Sequence, residues 1–245
     1  MQPVEAIPSS AWYVGIDDTD VIDYPGTNQL ARHIVQLVAD RFEGRLILRH
    51  QLLEDPRVPC TRKNGCVSLR FILGPGESQQ SLIECLRPMI LAWAPPGSDP
   101  GLCVTQHVPA EVVSWGLRCQ RELVRQADAR QLAAEHGLHL EGLGGTQDGV
   151  IGALAAVGLG ATANDGRVVH FGRPHEQRCE LTGAHSAEAL LAQGVEEIRC
   201  LESQTPVTAG TIDLGKRLRP NYRQARVVQF VSPTGPNRWE AVRVK

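Results

Sequence analysis

Several features that mark other classes of protein are missing from this chain of 245 residues. No apolar run approaches the roughly 18 residues that a transmembrane helix needs. The N-terminal segment MQPVEAIPSS lacks the basic and apolar regions of a secretory signal. No two of the seven cysteines show the C-x₂-C spacing of a zinc ribbon. We therefore expect a globular cytoplasmic protein that does not contact a membrane and has no disulfide framework.

Strong net charge is also missing, but charge is distributed unevenly. The formal net charge of −2 argues against a protein that coats nucleic acid by charge alone. Residues 1–31 contain five Asp and Glu residues and no Lys or Arg, whereas residues 216–245 contain eight Lys and Arg residues and one Glu. Only three of the 25 basic residues are lysines. GC-rich codon usage explains that bias, and phosphate recognition by the guanidinium fork is the functional alternative.

Hydrophobic periodicity and turn residues predict alternating strands and helices in two α/β modules. A buried strand over 11–16 precedes a helix from Asn28 to Phe42, which Thr27 or Asn28 could cap. Further strands are predicted over 45–53, 66–73, 102–107, 167–172, 195–201, 207–213 and 226–231, and further helices over 78–93, over 109–137 as a pair, and from Gly149. We expect Pro88 to interrupt or kink its helix. The predicted domains are residues 1–108 and 109–245.

The strongest candidate for chemistry is the segment GIDDTD at residues 15–20. Asp17, Asp18 and Asp20 directly follow an apolar strand, and three such carboxylates repel one another unless a cation neutralises them. Mg²⁺ or Mn²⁺ is the usual partner, and it commonly binds together with phosphate. The alternative is a solvated turn whose Asp residues cap the following helix. The position at a strand end favours metal and phosphate binding.

Two further segments have the composition of phosphate-binding loops. In TRKNGCVS, residues 61–68, the adjacent cations Arg62 and Lys63 precede a strand, and Asn64-Gly65 allows a tight turn that exposes backbone N–H groups. The alternative there is an ordinary turn with two solvated charges. In GGTQDGVIG, residues 144–152, a glycine-rich turn opens a helix. It lacks the Walker pattern, and Asp148 would repel an anion, so close packing of helix on sheet is favoured.

Taken in order, VGIDDTD-x₆-T-x₂-LA, VPCTRKNGCVS and the glycine-rich turn before GVIGALAAVG resemble the archaeal tRNA agmatinylcytidine synthetases. The closing stretch that begins TIDLGKRLRPNYRQ is similar to the end of that family's second domain. The resemblance implies an α/β (α+β) fold in which a kinase-like ATP- and metal-binding domain precedes a ferredoxin-like domain. The family uses ATP to activate the C2 carbonyl of a cytidine in an isoleucine tRNA anticodon and then couples agmatine there.

The resemblance also implies roles for individual residues. The family binds ATP phosphates and Mg²⁺ through its Asp-Asp-Thr-Asp segment, which corresponds to Asp17, Asp18, Thr19 and Asp20. The three aspartates would hold metal and act in catalysis. A threonine seven residues after the last Asp becomes phosphorylated in the family, and that position is Thr27. The family's Thr-Arg-Gly-Asn-Gly segment falls on Thr61 to Gly65, so that Arg62, Lys63, Asn64 and Gly65 would bind the cofactor.

The sequence departs from the family in ways that bear on its substrate. Family members continue into an OB-fold and a zinc ribbon that help to hold tRNA, and this sequence has neither, which argues against tRNA as a partner. Asp148 stands where the family has Arg, and Asn28 replaces a second threonine. The leading hypothesis is therefore an ATP- and Mg²⁺-dependent phosphotransferase or ligase with a small or nucleoside-containing acceptor. The alternatives are a truncated tRNA-modifying enzyme that works with a partner, a nucleotide-binding regulatory module and a metal-dependent hydrolase.

Overall fold

The computed structural model of the protein describes residues 7–61 and 63–244. The helices are α1 Thr27–Leu37, α2 Gln79–Trp93, α3 Ala110–Cys119, α4 Gln126–Glu135, α5 Gly149–Ala161 and α6 Ala187–Ala192. The strands are β1 Trp12–Asp17, β2 Phe42–Arg49, β3 Val67–Leu73, β4 Gly101–Thr105, β5 His139–Gly142, β6 Arg167–Phe171, β7 Ala184–Ser186, β8 Glu197–Cys200, β9 Thr211–Asp213, β10 Asn221–Arg223, β11 Arg226–Gly235 and β12 Arg238–Ala241. Among these residues no helix is long and apolar enough to cross a membrane.

The described strands form one mixed sheet in the order β5-β4-β1-β3-β2-β6-β10-β11-β12-β9-β7, and β8 pairs with β11. Strand β1 lies between β3 and β4 and runs antiparallel to both. In this register Ile16 lies opposite Val67, and Asp17 lies opposite Gly101. The loops that lead into β3 and β4 therefore converge on the end of β1.

Helices cover both faces of the N-terminal half of the sheet. Alternation along β1 sends Val14 and Ile16 into one core with α1 and α2. Gly15 instead faces α5, because a Cβ at Gly15 would lie 1.9 Å from the carbonyl oxygen of Ala153. Helix α5 consists largely of Gly and Ala and is almost entirely buried, and it shares a second core with α3 and α4. Its small residues let its backbone approach the sheet directly.

A third core joins the C-terminal half to the centre of the sheet. Leu46 and Leu48 of β2 pack with Phe171 of β6 and with residues of α6 and β11. Because β2 pairs with β6, the sheet continues from the N-terminal to the C-terminal half without a break. The division into domains 1–108 and 109–245 stays a prediction. Contacts cross the predicted boundary at two places, where β4 pairs with β5 and where α5 packs on β1.

The mixed α/β class predicted from the sequence is confirmed, and three local predictions are wrong. Helix α1 ends at Leu37, because Phe42 instead begins β2 with its side chain buried in the core. Gly26 is the N-cap of α1, and no side chain among the described residues caps this helix. Helix α2 runs through Pro88, so the predicted interruption is wrong, whereas the predicted kink stays a prediction.

Candidate functional site

Loops from five parts of the chain enclose a cavity of about 820 Å³ at the end of β1. They are the segment after β1, the 53–65 loop, the turn before β4, the connection between α3 and α4 over 119–126, and the entrance to α5. The cavity wall includes Asp17, Asp18, Asp20, Asp99, Asp148, Asn28, Arg49, Lys63, Asn64 and Gly65. Predicted site residues from the first two motifs, separated by about 40 positions, thus line one cavity.

Asp17 lies at the base of the cavity, beneath α5. A Cβ at position 152 would lie 1.8 Å from Oδ2 of Asp17, so glycine at this position leaves the carboxylate its space. Burial under the helix raises the pKa of the Asp17 carboxyl well above its ordinary value, and the charges of Asp18 and Asp20 raise it further. A hydrogen bond from the N–H of Asp18 opposes this rise without cancelling it. Asp17 is therefore a carboxylate whose charge is costly without a cation.

Asp18 has the more exposed carboxyl and the more strained backbone. Its φ of 52° lies in the left-handed region, which Asp tolerates better than most residues. Burial raises the pKa of the Asp18 carboxyl to about 6. Neighbouring carboxylates contribute in the decreasing order Asp99, Asp20 and Asp148, and an N–H of Asp99 donates a hydrogen bond that partly offsets them. We call Asp17, Asp18, Asp20, Asp99 and Asp148 the carboxylate cluster.

Asp99 is a member of the cluster that the sequence analysis missed. It lies just before β4, whose first residue Gly101 pairs with Asp17, so the antiparallel register brings it to the end of β1. Its carboxylate accepts hydrogen bonds from the backbone N–H (2.8 Å) and the hydroxyl (2.5 Å) of Thr146. Asp99 thus ties the glycine-rich turn to the site. An Asp next to a predicted strand start could have indicated it, once β4 was known to neighbour β1.

The glycine-rich turn packs against the sheet, as the sequence favoured. Cβ atoms at Gly149 and Gly101 would lie about 2.1 Å from backbone atoms of Asp99 and Gly149 respectively. The turn therefore needs glycine for close approach. It also contributes a charge to the cavity wall, since Asp148 immediately precedes α5.

Thr19 and Thr27 lie behind the cavity and bond to each other. The hydroxyl of Thr19 donates to the hydroxyl of Thr27 at 3.0 Å, and both residues are buried. The next residue, Asn28, does line the cavity, and its Oδ1 is buried without a hydrogen-bond partner among the described residues. The roles predicted for Thr19 and Thr27 stay predictions.

The 61–65 loop reaches the carboxylate segment through Thr61, whose hydroxyl donates to the carbonyl oxygen of Asp20 at 3.1 Å. Lys63 is exposed on the cavity wall, 3.7 Å from a carboxylate oxygen of Glu54. The Asn64 side chain donates to the carbonyl oxygen of Leu53 at 2.8 Å and holds the loop closed. Arg62 lies outside the described residues. Arg49, from the end of β2, adds a cation to the wall that the sequence analysis did not find.

The donor chemistry of the cluster fits a hard divalent cation. Its side chains offer only carboxylate oxygens, the ligands that Mg²⁺ prefers, and the unpartnered Oδ1 of Asn28 adds an amide oxygen. Burial, together with the charges of neighbouring carboxylates, raises the pKa values of Asp17 and Asp18, so a bound cation would relieve the cost of their charge. The described residues contain no group of three His, Cys, Asp or Glu side chains already placed to hold a metal ion.

The sequence of this chain is similar to that of one agmatinylcytidine synthetase, the family that the motifs resemble. No protein-family model matches the chain. Over 175 residues it is 27% identical to TiaS, the isoleucine-tRNA 2-agmatinylcytidine synthetase of Haloquadratum walsbyi. The match covers 68% of this chain and 37% of that relative, so the chain spans well under two thirds of the relative's length.

Solved structures of similar fold include two complexes of TiaS. The complex of TiaS with isoleucine tRNA and ATP is 23% identical with a TM-score of 0.52, covering 61% of this chain and 36% of that one. The complex of TiaS with the same tRNA, AMPCPP and agmatine is 22% identical with a TM-score of 0.51, covering 60% and 36%. A tRNA fluorescent labeling enzyme is 24% identical with a TM-score of 0.52, also covering 60% and 36%. The predicted resemblance to the agmatinylcytidine synthetases is confirmed, and the expectation against tRNA receives no support.

Proposed function

We propose that this protein is an ATP-dependent ligase that activates a carbonyl oxygen of a cytidine in tRNA and joins an amine of the agmatine class to the activated carbon. The observation that carries the proposal is the carboxylate cluster, which shares one cavity with the cations Arg49 and Lys63. The resemblance to TiaS supports tRNA as the acceptor, in place of the small molecule of our leading hypothesis.

The proposed mechanism relies on charge neutralisation and alignment. Asp17, Asp18 and Asp20 would hold Mg²⁺, which supplies charge neutralisation for the phosphates of ATP. Lys63, on the cavity wall, would bind phosphate oxygens of ATP. Arg62, by the same resemblance, would assist it. Because the transferred phosphoryl group develops charge in the transition state, fixed cations at its oxygens lower the barrier.

The chemical sequence has two steps. A carbonyl oxygen of the base attacks a phosphorus of ATP, and the bond between that phosphorus and its leaving phosphate oxygen breaks. The amine nitrogen then attacks the carbon, and the C–O bond breaks so that the oxygen leaves with its phosphate. A carboxylate of the cluster that does not hold the metal would take the proton that the amine loses. Thr27 would contact the γ-phosphate or accept a phosphoryl group.

The test is ATP consumption by the full chain with Mg²⁺, isoleucine tRNA transcript and agmatine, followed by mass analysis of the digested tRNA. We expect turnover that needs all components and a cytidine whose mass has increased by that of agmatine less water. Asp18→Asn should reduce turnover roughly 100-fold. Asp213→Asn, which removes an exposed charge in β9, is the matched control and should leave turnover intact.

Other outcomes decide between the alternatives. Turnover with small carbonyl and amine compounds but not with tRNA would restore the small-acceptor hypothesis. Phosphate release that no acceptor increases would indicate a hydrolase. ATP binding that raises the melting temperature, without any ADP or AMP after long incubation, would indicate a regulatory module and contradict the proposal.

A further inference from the structure

A second group of like charges begins at the wall of the cavity and extends away from it. Arg49, the last residue of β2, is paired with Arg167, the first residue of β6, in the antiparallel ladder. Two cations directly opposite each other on neighbouring strands destabilise a sheet. Such a pair therefore suggests that something from outside the chain supplies negative charge.

Three more arginines join this pair. Arg219 lies two residues before β10, the strand that pairs with β6, and Arg217 and Arg243 lie close to it. Partial burial lowers the pKa of Arg167 to about 10, with further lowering by Arg49, Arg219 and Arg217 in that order. Burial, together with Arg243 and Arg217, also lowers the pKa of Arg219. We call Arg49, Arg167, Arg217, Arg219 and Arg243 the arginine strip.

The strip has little counter-charge of its own. Within the described part of the chain, its one salt bridge joins Arg217 to Glu180 at 3.6 Å. Arg41 and Arg87, by contrast, each make a two-pronged contact with a carboxylate, that of Glu77 and that of Glu141 respectively. Four of the five arginines of the strip have no carboxylate partner among the described residues.

The position of the strip indicates the size of its ligand. Arg49 lines the cavity, and one of its guanidinium nitrogens lies about 3.1 Å from where a Cβ on Gly65 would be. The other four arginines are not among the described residues that line the cavity. Since β2, β6 and β10 are successive strands, the strip crosses two strand spacings, about 10 Å. A nucleotide held in the cavity would not reach along it, but a longer polyanion entering the cavity would.

We propose that the arginine strip binds the phosphodiester backbone of the RNA acceptor, next to the nucleotide that enters the cavity. Guanidinium groups suit this task because they contact phosphate oxygens in pairs and stay charged at neutral pH. The proposal rests on the proposed function in taking the acceptor to be RNA. RNA binding by the strip does not need ATP or the carboxylate cluster, so this proposal and the proposed ligase activity can fail separately.

The test measures binding of a fluorescently labelled single-stranded RNA of about 12 nucleotides to the full chain without ATP, by anisotropy at several salt concentrations. For single strands the slope of log K against log salt is about −0.7 for each phosphate contacted. Arg167→Gln combined with Arg219→Gln should weaken binding by about tenfold and make the slope shallower by about 1.4.

The matched control removes the same charge elsewhere. Arg41→Gln combined with Arg238→Gln changes two exposed arginines. Arg41 directly precedes β2, at the end of that strand opposite Arg49, and Arg238 lies at the β11–β12 hairpin. This control should keep the affinity and the slope of the unmodified protein. If both double variants lose affinity equally, binding reflects overall charge and the strip is not a site.

A single variant and a measurement of ATP affinity separate loss of the RNA site from loss of folding and from nucleotide binding. If the strip variant melts far below the unmodified protein, Arg219→Gln alone, at the less buried position, should make the slope shallower by about 0.7. If strip variants lose affinity for ATP but retain RNA, the strip holds nucleotide phosphates and the proposal is overturned. RNA binding that depends on the strip in a protein without ATP turnover would uphold the strip and contradict only the proposed function.

Discussion

The carboxylate cluster and the arginine strip are both groups of like charges, yet their electrostatic repulsion has different consequences. The cluster can take up protons, because burial and neighbouring charges raise the pKa of Asp18 to about 6. The strip cannot shed protons near neutrality, since even Arg167 has a pKa of about 10. A change of pH or a bound cation can therefore neutralise the acidic group, whereas only an anion can neutralise the basic one.

Among changes at the carboxylate cluster, filling the space that Asp17 occupies should lower the unfolding free energy most. The Cβ of Gly152→Ala would overlap the Asp17 carboxylate, and overpacking of this kind costs about 1–3 kcal/mol of unfolding free energy. Denaturant unfolding measures the change. Gly235→Ala is the control, because a Cβ there meets nothing within 4 Å and should change stability by less than about 0.5 kcal/mol. Equal losses in the two variants would show that α5 does not press on Asp17.

Mg²⁺ should stabilise the protein by relieving the cluster. At a free concentration ten times its Kd, a cation that binds only the folded state adds about 1.4 kcal/mol. Because protons compete with the cation for Asp18, the gain in melting temperature should be larger at pH 7.5 than at pH 5.5. Asp18→Asn should remove most of the gain, and a full gain in this variant would locate the metal elsewhere.

Acidification should stabilise the metal-free protein through the same carboxyl. The pKa of Asp18 is higher in the folded than in the unfolded chain, so the folded state takes up this proton first as pH falls from about 6 towards 4. The contribution is present at the acidic end of this window and is lost as pH rises through 6. Comparing melting temperatures at pH 7 and pH 5 isolates it: the rise on acidification should be smaller, by roughly 2 °C, in Asp18→Asn. An identical rise would refute the assignment.

The smallest effect should come from the strip. Arg167→Gln removes one member of a like-charged cross-strand pair and should raise the unfolding free energy by about 0.2–1 kcal/mol at low salt. High salt should erase the gain, because it screens partly exposed charges. A loss of stability at every salt concentration would mean that packing of the Arg167 stem outweighs repulsion.

Sequence reasoning could predict what depends on local pattern. The carboxylates after β1, the basic loop before β3 and the glycine-rich start of α5 are each contiguous in sequence, and all three meet at the cavity. Strand and helix locations followed from periodicity in the same way. Phe42 was assigned to a helix because its spacing continued that of Ile34 and Val38, whereas the chain turns after Leu37.

What escaped prediction depends on strand order. Asp99 joins the site because β4 neighbours β1, and Arg49 meets Arg167 because β2 neighbours β6. Pairings of this kind join residues that are distant in the chain, and no periodicity reveals them. The three-residue strands β7 and β10 were missed for a related reason, since they are too short to show an alternating pattern. Strand β9 occupies only the last three residues of the strand predicted over 207–213.

The burial of α5 has a consequence for how the chain folds as it is made. Gly15 of β1 receives its covering only when Ala153 has been synthesised, in a segment far later in the chain. At synthesis rates of roughly 5–20 residues per second, that face of the sheet stays uncovered for on the order of 10 s before α5 has been synthesised. Contacts so distant in sequence also form slowly. We expect the nascent N-terminal half to depend on chaperones until α5 closes over it.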